Sequence, residues 1–331
     1  EDFLSTAVNV TANRGNSLIN RKMILRILGI LLFMEAMMFL VCAGVSLCYG
    51  EEDYIYFIYT TLINMAVGSG LILLGRGAEN RVTRRDGYCI VAFTWLLFTG
   101  FGMLPFYISG SIPSVTDAFF ETMSGFTTTG ATILDDIEAL SHGMLFWRSF
   151  SQWIGGLGIV FFTIAVLPIF GVGNQVLFSA EATGVTHDKI HPKISVMAQC
   201  LWTVYLVLTV AEIVLLLIGG MDLFDAACHA FSTTATGGYS TKQASVAYWN
   251  SPFIEYVIAI FMILSGINFS LYFMCMKGRC GQLFKDGELR LYLISIGAVT
   301  LIITGALYWY NNYGLERSEE RRVGKECRSR W

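Results

Sequence analysis

The sequence is short of charge: Asp, Glu, Lys and Arg make up only 14% of its 331 residues, whereas 54% are hydrophobic. A soluble domain is typically about one-quarter charged, and a disordered chain lacks this much apolar mass. The net charge of −3 gives no basic surface for nucleic acid. These shortages exclude an ordinary soluble domain and predict a polytopic membrane protein, with the lipid bilayer as its solvent.

Paired metal-binding residues are also lacking. The eight cysteines contain no CxxC pair and most lie inside apolar runs, which is typical of small buried side chains rather than of a disulfide framework. His187 and His191 have the spacing of two ligands on one helix face. However, Pro192 would end that helix, and no Glu follows His187 as in a zinc peptidase. No transition-metal site and no cofactor is therefore predicted.

Long apolar stretches are what the sequence has in abundance. About 20 helical residues cross about 30 Å of hydrocarbon, and seven stretches qualify: Met23–Cys48, Tyr54–Leu74, Gly87–Ile108, Met144–Phe170, Ile194–Ile218, Phe253–Met276 and Leu289–Tyr310. Two further runs, Val115–Phe126 and Leu223–Thr234, reach only about 18 Å as helices. Both are predicted to be re-entrant half-helices, which are tolerated only beside protein or a water-filled cavity.

The cations predict the orientation of the spans. They lie after the second, fourth and sixth spans: Arg76, Arg81, Arg84, Arg85, Lys189, Lys193, Lys277, Arg279 and Lys285. The alternate loops are nearly free of Lys and Arg. By the positive-inside rule the N-terminus is cytoplasmic, and both half-helices enter from the outside.

The two half-helix regions align with each other without a gap when Asp117 is placed over Asp225. In this repeat alignment the segment DAFFETMSGFTTTGAT lies over DAACHAFSTTATGGYS, with Gly130 over Gly238. The order of elements repeats as well, from a span through a half-helix and a Thr/Gly loop to a span that contains GGLG or SGIN. Such repeats are typical of transport proteins that are built around a shared axis.

The loop after each half-helix is suited to a dehydrated cation. Thr127-Thr128-Thr129-Gly130 and Ala235-Thr236-Gly237-Gly238 offer backbone carbonyls, and glycine permits a positive φ that turns a carbonyl. The partly negative C-terminal end of each half-helix faces its loop. The alternative is that these loops are simple turns. Two of them in register favour a cation selectivity filter.

Acidic residues surround these loops. Asp135 and Asp136 follow the first loop, and Asp222 precedes the second half-helix, which predicts an acidic outer mouth. Glu138 and Asp225 extend that mouth. Arg148 begins the following span facing that mouth and is expected to pair with one of its carboxylates.

Three further features have alternative interpretations. Asp117 and Glu121, on the first half-helix, either concentrate cations or anchor the loop. Glu35, near the middle of the first span, either faces a proton path or makes a structural hydrogen bond to a neighbouring helix, which is favoured. The cluster Gly155-Gly156-Leu157-Gly158 is either a hinge or a site of close helix packing, which is favoured.

Three stretches carry a resemblance to a known family: FFETMSGFTTTGAT, LFWRSFSQWIGGLGIV and HAFSTTATGGYST. They resemble the first two M1–P–M2 repeats of Trk/Ktr-type potassium transporter membrane subunits, and the TrkH-like members most closely. The resemblance covers roughly residues 20–310. It implies an all-α polytopic membrane protein whose re-entrant pore helices surround a cation filter. It also implies K⁺ as the transported ion, Gly130 and Gly238 as filter glycines, and Thr127–Thr129 and Ala235–Gly237 as the preceding carbonyl donors.

The same resemblance implies partners and a location. A homodimer is expected in the bacterial inner membrane, together with a cytosolic nucleotide-binding regulatory subunit of the TrkA-like kind. The family surrounds its axis with four pore loops, whereas this sequence contains two and stops after the first span of a third repeat. Neither loop contains GYG, which implies a less stringent filter. The chain is therefore interpreted as a fragment that cannot complete a pore in one copy.

Five regions are predicted along the chain. They are an N-terminal tail with two extra spans at 1–80, a first M1–P–M2 repeat at 86–170, a second at 194–276, the first helix of an incomplete third repeat at 288–316, and a charged tail at 317–331. The tail resembles translated vector sequence and is excluded from the fold.

Two other classes of function compete with K⁺ uptake. A membrane-embedded enzyme would have to use His187, His191 or Glu35, but the sequence offers no convergent set of nucleophile and base. A non-conducting structural membrane subunit would leave the two filter-like loops without a role. The sequence leaves open whether a proton or a sodium gradient drives transport.

Overall fold

The computed structural model describes residues 19–78, 84–156, 158, 194–268, 271–272, 275, 281 and 286–311, and the regular structure within them is helical. In chain order the helices are α1 (Arg21–Cys48), α2 (Tyr54–Leu74), α3 (Arg84–Gly102), α4 (Leu104–Ile108), α5 (Val115–Phe126), α6 (His142–Gly156), α7 (Ile194–Ile218), α8 (Leu223–Thr234), α9 (Pro252–Ser265) and α10 (Gly287–Asn311). A 3-10 helix at Ser245–Trp249 lies between α8 and α9.

Much of the predicted membrane architecture is present. Among the described residues, the stretches long and apolar enough to cross a membrane are Arg21–Cys48, Tyr54–Leu74, Arg85–Ile108, Leu201–Ile218 and Gly287–Trp309. Each lies on one of the predicted spans, and α9 is a shorter apolar helix on another. Helix α6 begins the remaining one, whose second half at 159–170 lies outside the described residues. The prediction of an all-α polytopic membrane protein is confirmed.

One predicted span is divided in two. The stretch Gly87–Ile108 was expected to be continuous, but α3 ends at Gly102 and α4 begins at Leu104. Pro105 lies in the first turn of α4. Because proline has no N–H to continue the hydrogen bonds of the preceding helix, it accounts for the division.

Helix α9 is shorter than predicted. It ends at Ser265, and Gly266 forms its C-cap, whereas the apolar run continues to Met276. Two tyrosine hydroxyls bind carbonyls of its last turn: Tyr272 donates to Leu264 at 2.7 Å and Tyr292 donates to Ile263 at 3.3 Å. A helix end inside apolar surroundings needs such partners for its free carbonyls.

The first two helices form a close hairpin. A Cβ added to Gly29 would lie 2.7 Å from the carbonyl oxygen of Gly68, and a Cβ on Gly68 would lie 3.0 Å from the carbonyl oxygen of Gly29. Small residues permit this approach of two helix backbones. Glu35 of α1 accepts a hydrogen bond from the Asn64 side chain of α2 at 3.0 Å. The favoured interpretation of Glu35, a hydrogen bond to a neighbouring helix, is therefore confirmed.

Two apolar clusters support the half-helices. The first joins α1, α3, α5 and α6, and its centre is the buried Trp147, whose ring lies 4.6 Å from that of Phe39 and 5.8 Å from that of Phe126. The Trp147 indole N–H also donates to the carbonyl of Gly102 at 2.9 Å. The second cluster packs Ala226 of α8 against α7 and α9. Each half-helix is thus enclosed by the helices that flank it in sequence.

Candidate functional site

The half-helices have the predicted bounds. Helices α5 and α8 each contain 12 residues, and both begin at a side-chain cap. Ser114 accepts a hydrogen bond from the Asp117 N–H at 3.4 Å, and Asp222 accepts from the N–H groups of Phe224 and Asp225 at 3.2 and 3.4 Å. Such caps replace the missing partners of the first turn. Asp222, predicted at the outer mouth, thus also stabilises the start of α8.

The two loops after these helices share an unusual backbone conformation. Thr128 and Gly130 have φ of +54° and +73°, and Thr236 and Gly238 have φ of +56° and +85°. These positions correspond in the repeat alignment. Thr128 and Thr236 form the left-handed cap at the end of each half-helix, because their N–H groups bind Gly125 O at 3.0 Å and Thr233 O at 2.9 Å. The N–H groups of the next residues bind Ser124 O at 3.0 Å and Ser232 O at 2.8 Å. Both half-helices therefore end in the same way.

The alternation of φ has a consequence for the carbonyls. In an extended strand successive residues face opposite sides. A glycine of positive φ can turn a carbonyl out of that alternation. Both loops place such a glycine, Gly130 and Gly238, at the position predicted for the filter.

The predicted filter residues of the two loops lie against each other. A Cβ added to Gly130 would overlap the carbonyl oxygen of Gly237. Ala235 and Gly237 are buried, whereas Thr127, Thr129, Thr236 and Gly238 are exposed. The loops therefore meet at Gly130 and Gly237, and the four exposed residues remain accessible.

Helix α6 is the element that supports both loops. A Cβ on Gly155 would overlap the carbonyl of Phe126, at the end of the first half-helix. A Cβ on Gly156 would lie 2.7 Å from the Cα of Ala235, at the start of the second loop. The glycine cluster therefore permits close packing, but against both pore loops and not only between spanning helices. Gly158, which follows α6, has a φ of +71°.

Gln152, one turn before these glycines, was not predicted. It is fully buried, and its Oε1 accepts hydrogen bonds from the Ser232 hydroxyl at 2.6 Å and from the Tyr239 N–H at 3.3 Å. A Cβ on Gly237 would overlap the Gln152 amide. An uncharged polar residue inside an apolar span was the signal that could have identified it.

Each loop is also anchored to its own half-helix. The Thr132 hydroxyl donates to Glu121 Oε1 at 3.0 Å, and the Ile133 N–H donates to Glu121 Oε2 at 2.9 Å. In the second unit, His229 Nε2 lies 3.0 Å from the Ser240 hydroxyl. In the repeat alignment Glu121 lies over His229, and Thr132 lies over Ser240. Of the two roles considered for Glu121, the structure supports the anchor.

A buried ion pair connects the units. Arg148 Nε lies 2.6 Å from Glu121 Oε1, and Arg148 Nη1 donates to the Ser240 carbonyl at 3.0 Å. The guanidinium carbon lies 3.6 Å from the centroid of the Tyr239 ring. The Tyr239 hydroxyl in turn donates to the carbonyls of Glu121 and Ala131 at 2.9 and 3.1 Å. The carboxylate partner of Arg148 is thus Glu121, behind the loops, and the expectation of a partner at the mouth is wrong.

The predicted mouth residues lie on the segments that follow the loops. Asp135 and Asp136 are exposed. Gln243, after the second loop, donates through its side chain to the Asp135 carbonyl at 3.0 Å and through its backbone to Glu138 at 3.1 Å. The two post-loop segments are therefore joined, and the carboxylates of Asp135 and Asp136 remain accessible.

A second polar cluster ties the α1–α2 loop to α6. Glu51 accepts hydrogen bonds from the backbone N–H of His142 at 2.9 Å and of Gly143 at 3.3 Å, and its carboxylate lies 2.7 Å from His142 Nδ1. Partial burial by itself raises the pKa of Glu51, but these contacts outweigh it and lower the pKa below its usual value. The ionised Glu51 thus stabilises the start of α6.

Oxygen atoms of the loops are the available ligands for a cation. Among the described residues, no three His, Cys, Asp or Glu side chains converge in a way that could hold a metal ion. His187 and His191 lie outside the described residues. These elements define a helical membrane protein with two related units of half-helix and loop.

Comparison with known proteins identifies the family. The family model TrkH, described as cation transport protein, matches residues 56–306. The chain belongs to the TrkH family of cation transport proteins.

Individual relatives agree with this assignment. The Trk system potassium uptake protein TrkH of Escherichia coli is 39% identical over 292 residues, which are 87% of this chain and 60% of that protein. The protein of the same name from Halomonas elongata is 37% identical over 88% of this chain and 61% of its own length. The crystal structure of the potassium transporter TrkH from Vibrio parahaemolyticus matches with a TM-score of 0.78 and 33% identity, over 91% of this chain and 62% of that one. The chain spans about 60% of the length of the curated relatives it matches.

Proposed function

We propose that this chain forms the first two pore-loop units of a K⁺ uptake transporter membrane subunit, in which K⁺ passes through a filter of backbone carbonyls. The observation that carries the proposal is that both half-helices end in the same left-handed cap and are followed two residues later by a glycine of positive φ, Gly130 or Gly238. The names of the relatives, which describe potassium uptake proteins, support K⁺ as the ion.

The carbonyl donors of the filter are assigned to eight residues: Thr127, Thr128, Thr129, Gly130, Ala235, Thr236, Gly237 and Gly238. The half-helices direct their C-terminal ends, which are partly negative, at these loops. Neutral carbonyls replace the hydration shell of K⁺ without the cost of burying a counter-charge. Asp135 and Asp136 would raise the local concentration of cations before they enter.

The assembly and orientation follow as parts of this proposal. The subunit forms a homodimer in the bacterial inner membrane and binds a cytosolic nucleotide-binding regulatory subunit of the TrkA-like kind. Its N-terminus is cytoplasmic, and the pore loops enter from the outside. No cofactor and no enzymatic reaction is required, because desolvation and selection of K⁺ are achieved by the filter.

Uptake is best tested in a chimera, because four loops are needed to enclose an ion. Residues 20–310 of this chain would replace the matching segment of the Escherichia coli relative, in a strain without other K⁺ uptake. We expect saturable K⁺ uptake with discrimination against Na⁺. Gly130→Ser and Gly238→Ser should each weaken uptake at low external K⁺ and reduce discrimination, because a side chain resists positive φ at a cost of about 1 kcal/mol or more.

The control for these substitutions is Gly70→Ser, since a Cβ at Gly70 in α2, which precedes the first repeat, has no heavy atom within 4 Å. Gly156 would be a poor control because it contacts the second loop. Unchanged K⁺ affinity and selectivity in both filter variants would identify the loops as simple turns. A non-conducting structural subunit would then be the better interpretation.

The orientation has a separate test. Cys48 ends α1 and is exposed, and the proposal places it at the outer face. A variant with Cys48 as its single cysteine should react with an impermeant thiol reagent added to intact cells, whereas one that keeps only Cys280 should not. The reverse pattern would place the pore loops on the cytoplasmic side.

A further inference from the structure

We propose that Arg148 is a positioning residue for ion selectivity: with Tyr239 it fixes the spacing between the two filter loops and thereby sets the discrimination between K⁺ and Na⁺. The inference rests on the proposed function. It begins from the fact that one guanidinium binds both units at once. Its Nε pairs with Glu121 of the first half-helix, and its Nη1 donates to the carbonyl of Ser240 beyond the second loop.

The connection is reciprocal. Tyr239 follows the second filter loop directly, yet its hydroxyl donates to the carbonyl of Ala131, which follows the first loop directly. Ser240, bound by Arg148, lies two residues after Gly238. Any movement of this bridge is therefore transmitted within one or two residues to Gly130 and Gly238, whose carbonyls are assigned to the filter.

The bridge is rigid because of where it lies. The side chains of Arg148 and Glu121 are 2% and 0% exposed, so water cannot substitute for either partner. The planar guanidinium presents two N–H groups in a fixed geometry, and its central carbon lies 3.6 Å from the centroid of the Tyr239 ring. A lysine carries a single nitrogen, which could reach Glu121 or the Ser240 carbonyl, but not both in this geometry.

The bridge occurs once in the described part of the chain, and it lies between the two units. In the repeat alignment, Arg148 corresponds to Tyr256 and Glu121 to His229. The second half-helix holds its loop through the His229 imidazole and through Asp225, which accepts a hydrogen bond from the Thr241 hydroxyl at 2.6 Å and lies 4.0 Å from Lys242 Nζ, so its ion pair stays within one unit. The pair of Arg148 and Glu121 therefore serves the contact between the two loops and is not a support that each unit repeats.

Selectivity is sensitive to such a contact. K⁺ and Na⁺ differ by small amounts in large dehydration energies, so the number and placement of the carbonyls decide which ion is favoured. A filter whose neighbouring loops can move apart should adapt to either ion. We therefore expect loss of the bridge to reduce discrimination more than the maximal rate of transport.

The chimera described above provides the test. Arg148→Lys and Tyr239→Phe should each lower the ratio of the half-saturation constants for Na⁺ and K⁺ by about threefold to tenfold, the range that corresponds to one hydrogen bond. The maximal rate at saturating K⁺ should change by less than about twofold. A general loss of fold would lower this maximal rate as well, so the two explanations can be distinguished. Arg76→Lys and Tyr248→Phe, at exposed positions, are the matched controls.

A second measurement follows the bridge without transport. In the detergent-solubilised chain, the drop in Tm for the double variant Arg148→Lys/Tyr239→Phe should be smaller than the sum of the two single drops, because both residues act through Glu121. Additive drops would show that the two side chains do not form one bridge and would overturn the inference.

The outcomes separate the two proposals. If the unsubstituted chimera discriminates K⁺ from Na⁺ and both variants retain that discrimination, only the inference fails. If the unsubstituted chimera does not discriminate, the proposed function fails, and the assignment of selectivity to Arg148 fails with it.

Discussion

The two pore-loop units share a backbone but differ in how they are held. Both have a half-helix of 12 residues, positive φ at the second and fourth loop residues, and a hydroxyl anchored to the half-helix. At the corresponding positions the anchor is the carboxylate of Glu121 in the first unit and the imidazole of His229 in the second, where Asp225 also accepts a hydrogen bond from Thr241 at 2.6 Å. The repeat thus keeps the conformation of the filter and allows the supporting chemistry to vary.

The units also differ in the space around their glycines. Gly130 faces the carbonyl of Gly237, whereas a Cβ at Gly238 would meet no heavy atom within 4 Å. Both glycines have positive φ. The first glycine therefore satisfies a conformational and a steric requirement, and the second satisfies only the conformational one.

The largest difference in stability is expected between substitutions at the two anchors, Glu121 and His229. Glu121→Gln leaves the buried Arg148 without its counter-charge, which should cost about 3 kcal/mol. His229→Gln keeps a neutral donor near Ser240 and should cost about 1 kcal/mol. Thermal unfolding of the two variants in detergent measures the difference.

A double variant identifies the cause of that difference. Glu121→Gln combined with Arg148→Met removes both charges and should recover part of the stability that Glu121→Gln alone loses, since the buried charge is no longer uncompensated. If Glu121→Gln and His229→Gln lower Tm equally, the charge is not what distinguishes the units.

The second comparison concerns the glycines. Gly130→Ala combines an overlap with a backbone carbonyl and an unfavourable φ, and we expect a loss of about 3 kcal/mol. Gly238→Ala has only the unfavourable φ and should lose about 1 kcal/mol. Gly305→Ala, in an open position on α10, is the control and should not destabilise. Equal losses at 130 and 238 would mean that the contact between the loops relaxes freely.

Local patterns explain why much of this architecture could be predicted. The bounds of α5 and α8 follow from apolar runs of twelve residues that begin at Ser114 and Asp222 caps and end at Thr/Gly loops. The paired glycines follow from the repeat alignment. Hydropathy alone did not predict the division at Met103 or the end of α9 at Ser265, because apolar runs continue through both breaks.

The support behind the loops could not be predicted, because its contacts join distant parts of the chain. Arg148 reaches 27 residues back to Glu121 and 92 residues forward to Ser240, and Tyr239 reaches back 118 residues to Glu121. A charge in an apolar run indicates that a partner exists, but several carboxylates were available to Arg148. The packing of α6 against both loops decides which carboxylate Arg148 binds.

The smallest expected effect concerns the helices that follow the loops. Glu51 binds the first turn of α6, whereas α9 begins at Pro252 and its N-cap Ser251 makes no side-chain capping bond. Because the pKa of Glu51 in the folded chain lies below its usual 4.5, its contribution to stability is complete above about pH 4.5 and is lost as the pH falls through the lowered value. Acid should therefore remove the contribution of Glu51 to the first unit.

Glu51→Gln tests this difference. We expect it to lower stability at neutral pH by about 0.5 kcal/mol, a value typical of a partly exposed pair, and to have less effect once the pH is low enough to protonate Glu51. Glu52→Gln, at the exposed neighbouring residue, is the matched control. The measurement is Tm in detergent between about pH 7 and about pH 3 for both variants and the unsubstituted chain. The three curves should converge at low pH, with only Glu51→Gln displaced at neutral pH. A displacement of Glu51→Gln that is the same at every pH would show that hydrogen-bond geometry, and not the ionised carboxylate, ties the α1–α2 loop to α6.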